Sequence, residues 1–322
     1  MPAMPKLLLV RLSSMGDVIH TLPAVTDLAR ARPDWTVDWV VEEGFAELPR
    51  LHPVVGNVVP FALRRWRKKL LSADTRREFC GFRKQLKSVG YDRVLDAQGL
   101  IKSAIVGRLA QGPLAGYDRK NAREPLASCL YRDRYPVNFN QHAVLRGRAL
   151  MAAAFDYPVS GPVDYGLSVP PTDLPWLPAK PYAVLLTATS RADKEWAEPN
   201  WIVLGERFAT EGLACVLPWG SASERERAER LAAAIPGAVV APKLSLTHAA
   251  ALLSGSRIVV GVDTGLAHLA AAVAAPVVAI FCASNPDMTG VLADTYAVNL
   301  GCDGAAPDVD TVWQAAQAGR RP

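Results

Sequence analysis

Short apolar runs alternate with segments of helical spacing along most of the chain, and the alternation stops once. Prolines fall at positions 158, 162, 170, 171, 175, 178 and 181, with Gly161 and Gly166 among them. Proline fixes φ and removes a backbone donor, so a stretch this dense continues neither a helix nor a ladder and reads as a linker. Before it, Leu7–Val10 is an apolar strand that leads through the polar turn Ser13–Asp17 to a helical segment over Val18–Ala31. That segment has apolar residues at Val18, Leu22, Val25 and Leu28. Thr36–Val41 and Arg93–Ala97 are further strands, and Gln98-Gly99 joins the second to a helix over Leu100–Ala110. After the linker, strands over Tyr182–Thr187, Ala214–Pro218, Ala238–Ala241, Ile258–Val262 and Val277–Phe281 alternate with helices. The helices lie near Trp201–Thr210 and over Ser223–Ile235, Ser245–Ser254 and Thr264–Ala274. Strands separated by helices pair in parallel through right-handed crossovers. The expected fold class is therefore α/β: two Rossmann-like parallel-sheet domains facing across a cleft, over 1–165 and 181–322, with 166–180 between them. Ligands of such sheets bind beyond the carboxyl ends of the strands, so the loops there matter most.

Composition removes other classes. With 322 residues, 50% hydrophobic and 21% charged, the chain is globular and not disordered. Its longest apolar stretch, Leu269–Cys282, is interrupted by Pro276 and is too short to span a bilayer. Residues Met1–Val10 lack a small-residue cleavage site and read as the first strand. Five scattered cysteines without a CxxC support no disulfide framework and no zinc site; buried, reduced thiols of a cytosolic protein are expected. The net charge of +5 is uneven: 25 Lys and Arg stand against 16 Asp and Glu through Pro170, and 11 against 15 after it. The first half is thus suited to something anionic.

No GxxxxGK[ST] is present, no GxGxxG follows a strand and HExxH is absent, so four strand-end loops carry the candidate chemistry. In Ser13-Ser14-Met15-Gly16-Asp17, Gly16 permits a tight turn. Asp17 stands where a helix begins, either as an N-cap or as a carboxylate able to take a proton from a hydroxyl. Asp263-Thr264-Gly265 opens the helix after strand Ile258–Val262, either as a simple cap on an alanine-rich core helix or as an anion site where unpaired N–H groups and the helix dipole favour negative charge; His268 falls one turn on. Thr189, Ser190 and Lys194 follow strand Tyr182–Thr187. They form either a solvated loop or a diphosphate cradle in which Lys194 offsets the charge of a leaving group. Glu224, after Trp219-Gly220, is either a surface charge at a helix start or a partner for the paired hydroxyls of a ribose.

The densest charge is Arg64-Arg65-Trp66-Arg67-Lys68-Lys69. A solvated helix face and an anion-binding surface both fit it, while one aromatic gives little to a nucleic-acid groove. With Lys102, Arg119 and Arg123 in the same half, an anionic substrate or membrane leaflet suits the run better than DNA. His20, His52, His142 and His248 are isolated in the sequence and outline no metal site.

Seven stretches together, RLSSMGDVIHTLPA, DWVVEEGFAELP, RRWRKK, DAQGLIKSA, NAREPLAS, LPWGSASERERA and GVDTGLAHLAAA, span nearly the whole chain. In these the chain resembles the lipopolysaccharide heptosyltransferases, most closely the branch that adds the first heptose to the Kdo region of lipid A. The resemblance implies a GT-B fold, ADP-heptose as co-substrate, inverting transfer to Kdo–lipid A, and neither cofactor nor metal ion. It makes Asp17 the general base. Thr189, Ser190 and Lys194 would hold the diphosphate, Glu224 the ribose and Asp263 the heptose hydroxyls, with Thr264, Gly265 and His268 completing the donor set. Ser14, Arg64, Arg65, Arg67, Lys68, Lys102, Arg123 and His142 would receive the acceptor's carboxylates and phosphates. It also implies a cytoplasmic protein in peripheral contact with the inner leaflet of the inner membrane, without nucleic acid, whose last helix can pack back on the first domain. Ser190 replaces a threonine common in the family, keeping the hydroxyl. The stretch after Asn299 matches weakly apart from Val309–Trp313. Two rivals are a transferase acting on a heptose-bearing acceptor and a non-catalytic binding protein, which has no need of a carboxylate at position 17.

Overall fold

The computed structural model describes residues 4–69, 71–189 and 191–321. The chain divides into two compact units, residues 1–161 and 162–322. In the first, strands β1 (Lys6–Val10), β2 (Thr36–Glu42), β3 (Val55–Phe61), β4 (Arg93–Asp96), β5 (Leu114–Tyr117) and β6 (Asp133–Tyr135) form one sheet in the order β3-β2-β1-β4-β5-β6. In the second, β7 (Tyr182–Leu186), β8 (Ala214–Leu217), β9 (Val239–Val240), β10 (Ile258–Val262), β11 (Val277–Ile280) and β12 (Ala297–Leu300) form another, in the order β9-β8-β7-β10-β11-β12. The ladders are parallel in both. Each order is the doubly wound 3-2-1-4-5-6, so each sheet reverses its winding beside its first strand, between β1 and β4 and between β7 and β10.

The first unit carries helices α1 (Met15–Ala31), α2 (Glu47–Arg50), α3 (Leu63–Trp66), α4 (Ala73–Ser88), α5 (Ile101–Arg108) and α6 (Ala143–Phe155). The second carries α7 (Glu198–Thr210), α8 (Ala222–Ala234), α9 (Leu246–Ser254), α10 (Gly265–Ala272), α11 (Pro286–Thr289) and α12 (Val309–Gly319). Helices on both faces bury the central strands completely: Leu7–Val10 and Ile258–Val260 are fully inaccessible. This is why they read as unbroken apolar runs and not as alternating ones. Helix α1 passes through Pro23, which leaves one intrahelical bond unmade. Burial of Val18, Ile19, Leu22, Val25 and Leu28 on that helix outweighs the loss. Helix α12 packs on β10, β11 and α7 of its own unit through Val312 and Ala316, with Trp313 edge-on to Phe208 at 5.2 Å. Residues 166–180 carry no helix or strand and group with the second unit.

The thiols depart from expectation. Only Cys215 is buried, and Cys80, Cys129 and Cys302 are exposed. A cysteine's average preference for the interior does not bind one that falls on a polar helix face or a loop.

One buried ion pair fixes the first unit. Arg148 on α6 donates from Nε to Asp27 Oδ2 of α1 at 2.7 Å and from Nη2 to Oδ1 at 3.1 Å. It also reaches the carbonyl of Ser160 at 2.8 Å, just before the division between the units. Both side chains are less than a tenth exposed, so removing one partner strands a buried charge. Arg148→Met is expected to cost the first unit about 3–5 kcal/mol in urea denaturation, and the double variant with Asp27→Leu distinctly less. Equal losses in the two would contradict a desolvated pair.

Candidate active site

Because each sheet is wholly parallel, every loop after a strand leaves from the same rim. The first unit's rim gathers Ser14 and Asp17 after β1, Arg64, Arg65, Arg67 and Lys68 after β3, Lys102 after β4, Arg123 after β5 and His142 after β6. Its centre is the switch point between β1 and β4.

There Ser14, not Asp17, caps α1. Asp17 is the third helical residue, and its Oδ2 accepts from the Ser14 backbone N–H at 2.9 Å and the Ser14 hydroxyl at 3.1 Å. Serine followed three residues later by an acid is the reciprocal arrangement that a helix start favours. Oδ1 accepts from Arg11 Nη2 at 2.8 Å, and the same guanidinium donates to the carbonyl of Ala97 beyond β4. Burial raises the Asp17 pKa, but Arg11, the two Ser14 hydrogen bonds and the more distant charge of Arg123 together hold it below the ordinary carboxylate value. The side chain keeps 23% of its surface exposed against 9% for Arg11. Asp17 is thus an ionised carboxylate, fixed in orientation and open on one side.

Across the switch point, Asp96 is completely buried. It accepts from the N–H groups of Gln98 (2.8 Å) and Gly99 (3.2 Å) and from the hydroxyls of Ser103 (2.8 Å) and Tyr131 (2.7 Å). Burial pushes its carboxyl upward against these four bonds. Gln98 Oε1 in turn accepts from the Leu12 N–H at 2.8 Å, tying the two loops together. Gly99 takes φ +71°, and a Cβ there would stand 3.3 Å from the backbone nitrogen of Arg123. The β4 loop is therefore seated against the loop that carries Arg123.

The remaining first-unit candidates divide. Arg65 is bound to Glu43 at 3.0 Å and Glu78 at 2.8 Å, so its charge is already matched. Arg64 lies over the Phe45 ring at 5.3 Å. Arg67, Lys68, Lys102 and Arg123 are exposed. His142 caps α6, its Nδ1 accepting from the Val144 N–H at 3.2 Å, and meets His20 edge-on at 5.8 Å.

On the second unit's rim the β7 and β10 loops converge. Lys194 Nζ lies 2.5 Å from Asp263 Oδ2, which also accepts from the Ser284 hydroxyl at 2.8 Å; His268 Nε2 is 3.9 Å from Oδ1. Thr189 donates to the Asp263 carbonyl at 3.0 Å. Thr264 is the N-cap of α10 and Gly265 its first residue, so the first N–H groups of that helix open beside the cluster. Ser190 lies outside the described residues. Lys194 is held from behind. Arg227 of α8, largely buried, binds Glu195 at 2.9 Å, Glu198 at 3.2 Å and the Trp196 carbonyl at 2.8 Å. Trp196, itself buried, donates to the Pro307 carbonyl at 2.9 Å. Glu224 stands apart from the cluster: its Oε2 accepts from the N–H groups of Gly220 (2.7 Å) and Ser221 (3.2 Å), capping its own helix. Its Oε1 has no hydrogen bond among the described residues.

Three participants were not singled out from the sequence. Asp96 reads as a strand residue within Arg93–Ala97, and Arg11 falls between the strand Leu7–Val10 and the turn Ser13–Asp17. Ser284 could have been found by treating the loop after Val277–Phe281 as a strand end like the others.

Residues 80–316 match the family described as glycosyltransferase family 9 (heptosyltransferase). The chain belongs to glycosyltransferase family 9. Within the family it is 51% identical over 303 residues to lipopolysaccharide heptosyltransferase 1 of Pseudomonas aeruginosa, covering 92% of this chain and 84% of that one. The solved structure of E. coli heptosyltransferase WaaC with ADP superposes with a TM-score of 0.91 at 41% identity, over 98% of this chain and 99% of that chain. The same enzyme with ADP-2-deoxy-2-fluoro heptose gives 0.84 at 42% identity, over 97% and 99%. The α/β architecture of paired parallel sheets is thus that of a family 9 glycosyltransferase. Among its described residues, no group of three or more His, Cys, Asp or Glu is placed to hold a metal ion.

Proposed function

We propose that the chain transfers L-glycero-D-manno-heptose from ADP-heptose to the Kdo of Kdo–lipid A, with inversion, in lipopolysaccharide inner-core biosynthesis. The observation that carries the reading is the Lys194–Asp263 cluster beside the start of α10, in a fold whose E. coli relative is solved with ADP-2-deoxy-2-fluoro heptose.

In this reading the second unit holds the donor. Lys194, Thr189, Ser190 and the first N–H groups of α10 at Thr264 and Gly265 take the diphosphate. Asp263 and His268 take heptose hydroxyls, and Glu224 uses Oε1 for the ribose. The first unit holds the acceptor on Ser14, Arg64, Arg65, Arg67, Lys68, Lys102, Arg123 and His142. Arg65 adds least, its charge being shared already with Glu43 and Glu78. The acceptor hydroxyl oxygen attacks the anomeric carbon as the bond to ADP breaks; the electron pair leaves on the β-phosphate oxygen and the hydroxyl proton passes to Asp17. Lys194 and the α10 dipole supply positive charge as the diphosphate departs, so the step is written without a metal ion. No helix of the described residues is long and apolar enough to cross a membrane. The protein is proposed to act at the cytoplasmic face of the inner membrane as a peripheral enzyme.

The test is ADP release from ADP-heptose with Kdo–lipid A against an acceptor that already bears heptose. Release with the Kdo acceptor alone is expected. Release only with the heptosylated acceptor would assign the chain to the second transfer, and release with neither, despite donor binding, would make it a binding protein.

A further inference from the structure

Helix α4 is unlike the rest of the first unit. Of its 16 residues only Phe82 and Leu86 are buried. At about 100° per residue, Arg76, Arg77, Arg83, Lys84 and Lys87 fall within an arc of about 120°, away from Phe82 and Leu86, and all five are exposed. The helix's two acids leave that face cationic. Among the described residues Asp74 pairs only with Arg77, at 3.3 Å, with both side chains open to solvent. Glu78 turns to Arg65 at 2.8 Å and to the Trp66 indole N–H at 2.7 Å. Just before the N-cap Ser72, Leu71 is 84% exposed, the most open of the large apolar side chains among the described residues.

A cationic helix face with an apolar side chain at its start is the pattern that binds an anionic lipid surface. Nucleic acid fits less well, because the helix's exposed aromatic, Phe79, packs toward Trp66 and Phe82 and not onto the cationic face. We propose that the cationic face of α4, together with Leu71 just before the helix's start, docks the enzyme on an anionic phospholipid bilayer. The inference rests on the reading of the acceptor as a lipid-borne glycan. It locates the membrane contact on residues other than those assigned to the acceptor sugar.

The experiment is sedimentation of the full chain with acceptor-free vesicles of phosphatidylcholine, with and without a substantial share of phosphatidylglycerol, alongside turnover on a de-acylated, water-soluble Kdo acceptor. Wild type should bind only the anionic vesicles and release as salt shortens the Debye length. The triple variant R76Q/R83Q/K87Q should lose about tenfold or more in vesicle partitioning. R77Q/K84Q on the same face should follow it, and L71S should lose less. All should keep wild-type turnover on the soluble acceptor. Wild-type partitioning in both charge variants, or equal binding to neutral vesicles, would overturn the docking surface. So would binding to a single-stranded oligonucleotide with no vesicle binding. Absence of turnover in wild type would instead overturn the proposed function, while the vesicle arm is read independently of it.

Discussion

Asp17→Asn is expected to lower heptose transfer by about 10²- to 10⁴-fold, the usual range for a lost general base, while ADP affinity stays at the wild-type level. Asparagine keeps the size of the side chain but cannot take a proton at a useful pKa. The residue lies on the first unit's rim, whereas the cluster assigned to the donor is built entirely from the β7, β10 and β11 loops of the second. In the proposed role, a base whose pKa is held down takes the proton once the hydroxyl has become acidic, late in the displacement as the new glycosidic bond forms. The pH profile follows from the same contacts. With Arg11 at 2.8 Å the carboxylate persists below the ordinary Asp value, so with Asp17 as the proposed base the acid limb of kcat/KM is expected to lie low in the wild type. Arg11→Gln removes the counter-charge, raises the Asp17 pKa and moves that limb to higher pH. Calorimetric ADP titration and kcat/KM against pH check both statements. Lost ADP binding in Asp17→Asn, or an unmoved limb in Arg11→Gln, would contradict the role.

The strands nearest each switch point were legible for a physical reason. β1, β7 and β10 are covered on both faces, so each is an unbroken apolar run, and each ends in small or polar residues where the chain turns. Elements whose surroundings are mixed gave weaker signals. β6 is Asp133-Arg134-Tyr135 at a sheet edge, and β3 carries Pro60 on the other edge, where a missing donor does little harm. α4 buries two side chains and has almost no apolar stripe to read. In the site, Asp17, Lys194 and Asp263 stood out as charges in strand-end loops. What spacing could not convey was which charges meet. Arg65 looked like any other cation of its run, yet Glu78 reaches it from a separate helix. Arg11 reaches the Ala97 carbonyl and the Leu12 N–H reaches Gln98, each across 86 positions, while Asp96 accepts from Tyr131, 35 positions on, separations that local pattern does not register.

Lys194→Ala is expected to raise the KM for ADP-heptose and to lower kcat by about 10²–10³-fold, the range for removing one pre-set donor to developing negative charge. Its side chain is only 19% exposed, in surroundings where charge is poorly screened, and the loop behind it is tied down by Arg227 and Trp196. The cation is therefore in place before the diphosphate departs and needs little reorganisation as charge develops. The substitution also changes Asp263. With Lys194 gone, Oδ2 keeps the Ser284 hydroxyl but loses its counter-charge, and a carboxylate facing an incoming diphosphate repels it. Ground-state binding and transition-state stabilisation should then fall together, unlike Asp17→Asn, where only turnover falls. Lys194→Arg, which keeps the charge but not the compact ammonium, should recover more of the donor KM than of kcat. Steady-state kinetics with varied ADP-heptose separates the two parameters. Unchanged values in Lys194→Ala would remove the residue from the reaction and leave its contact with Asp263 a structural ion pair.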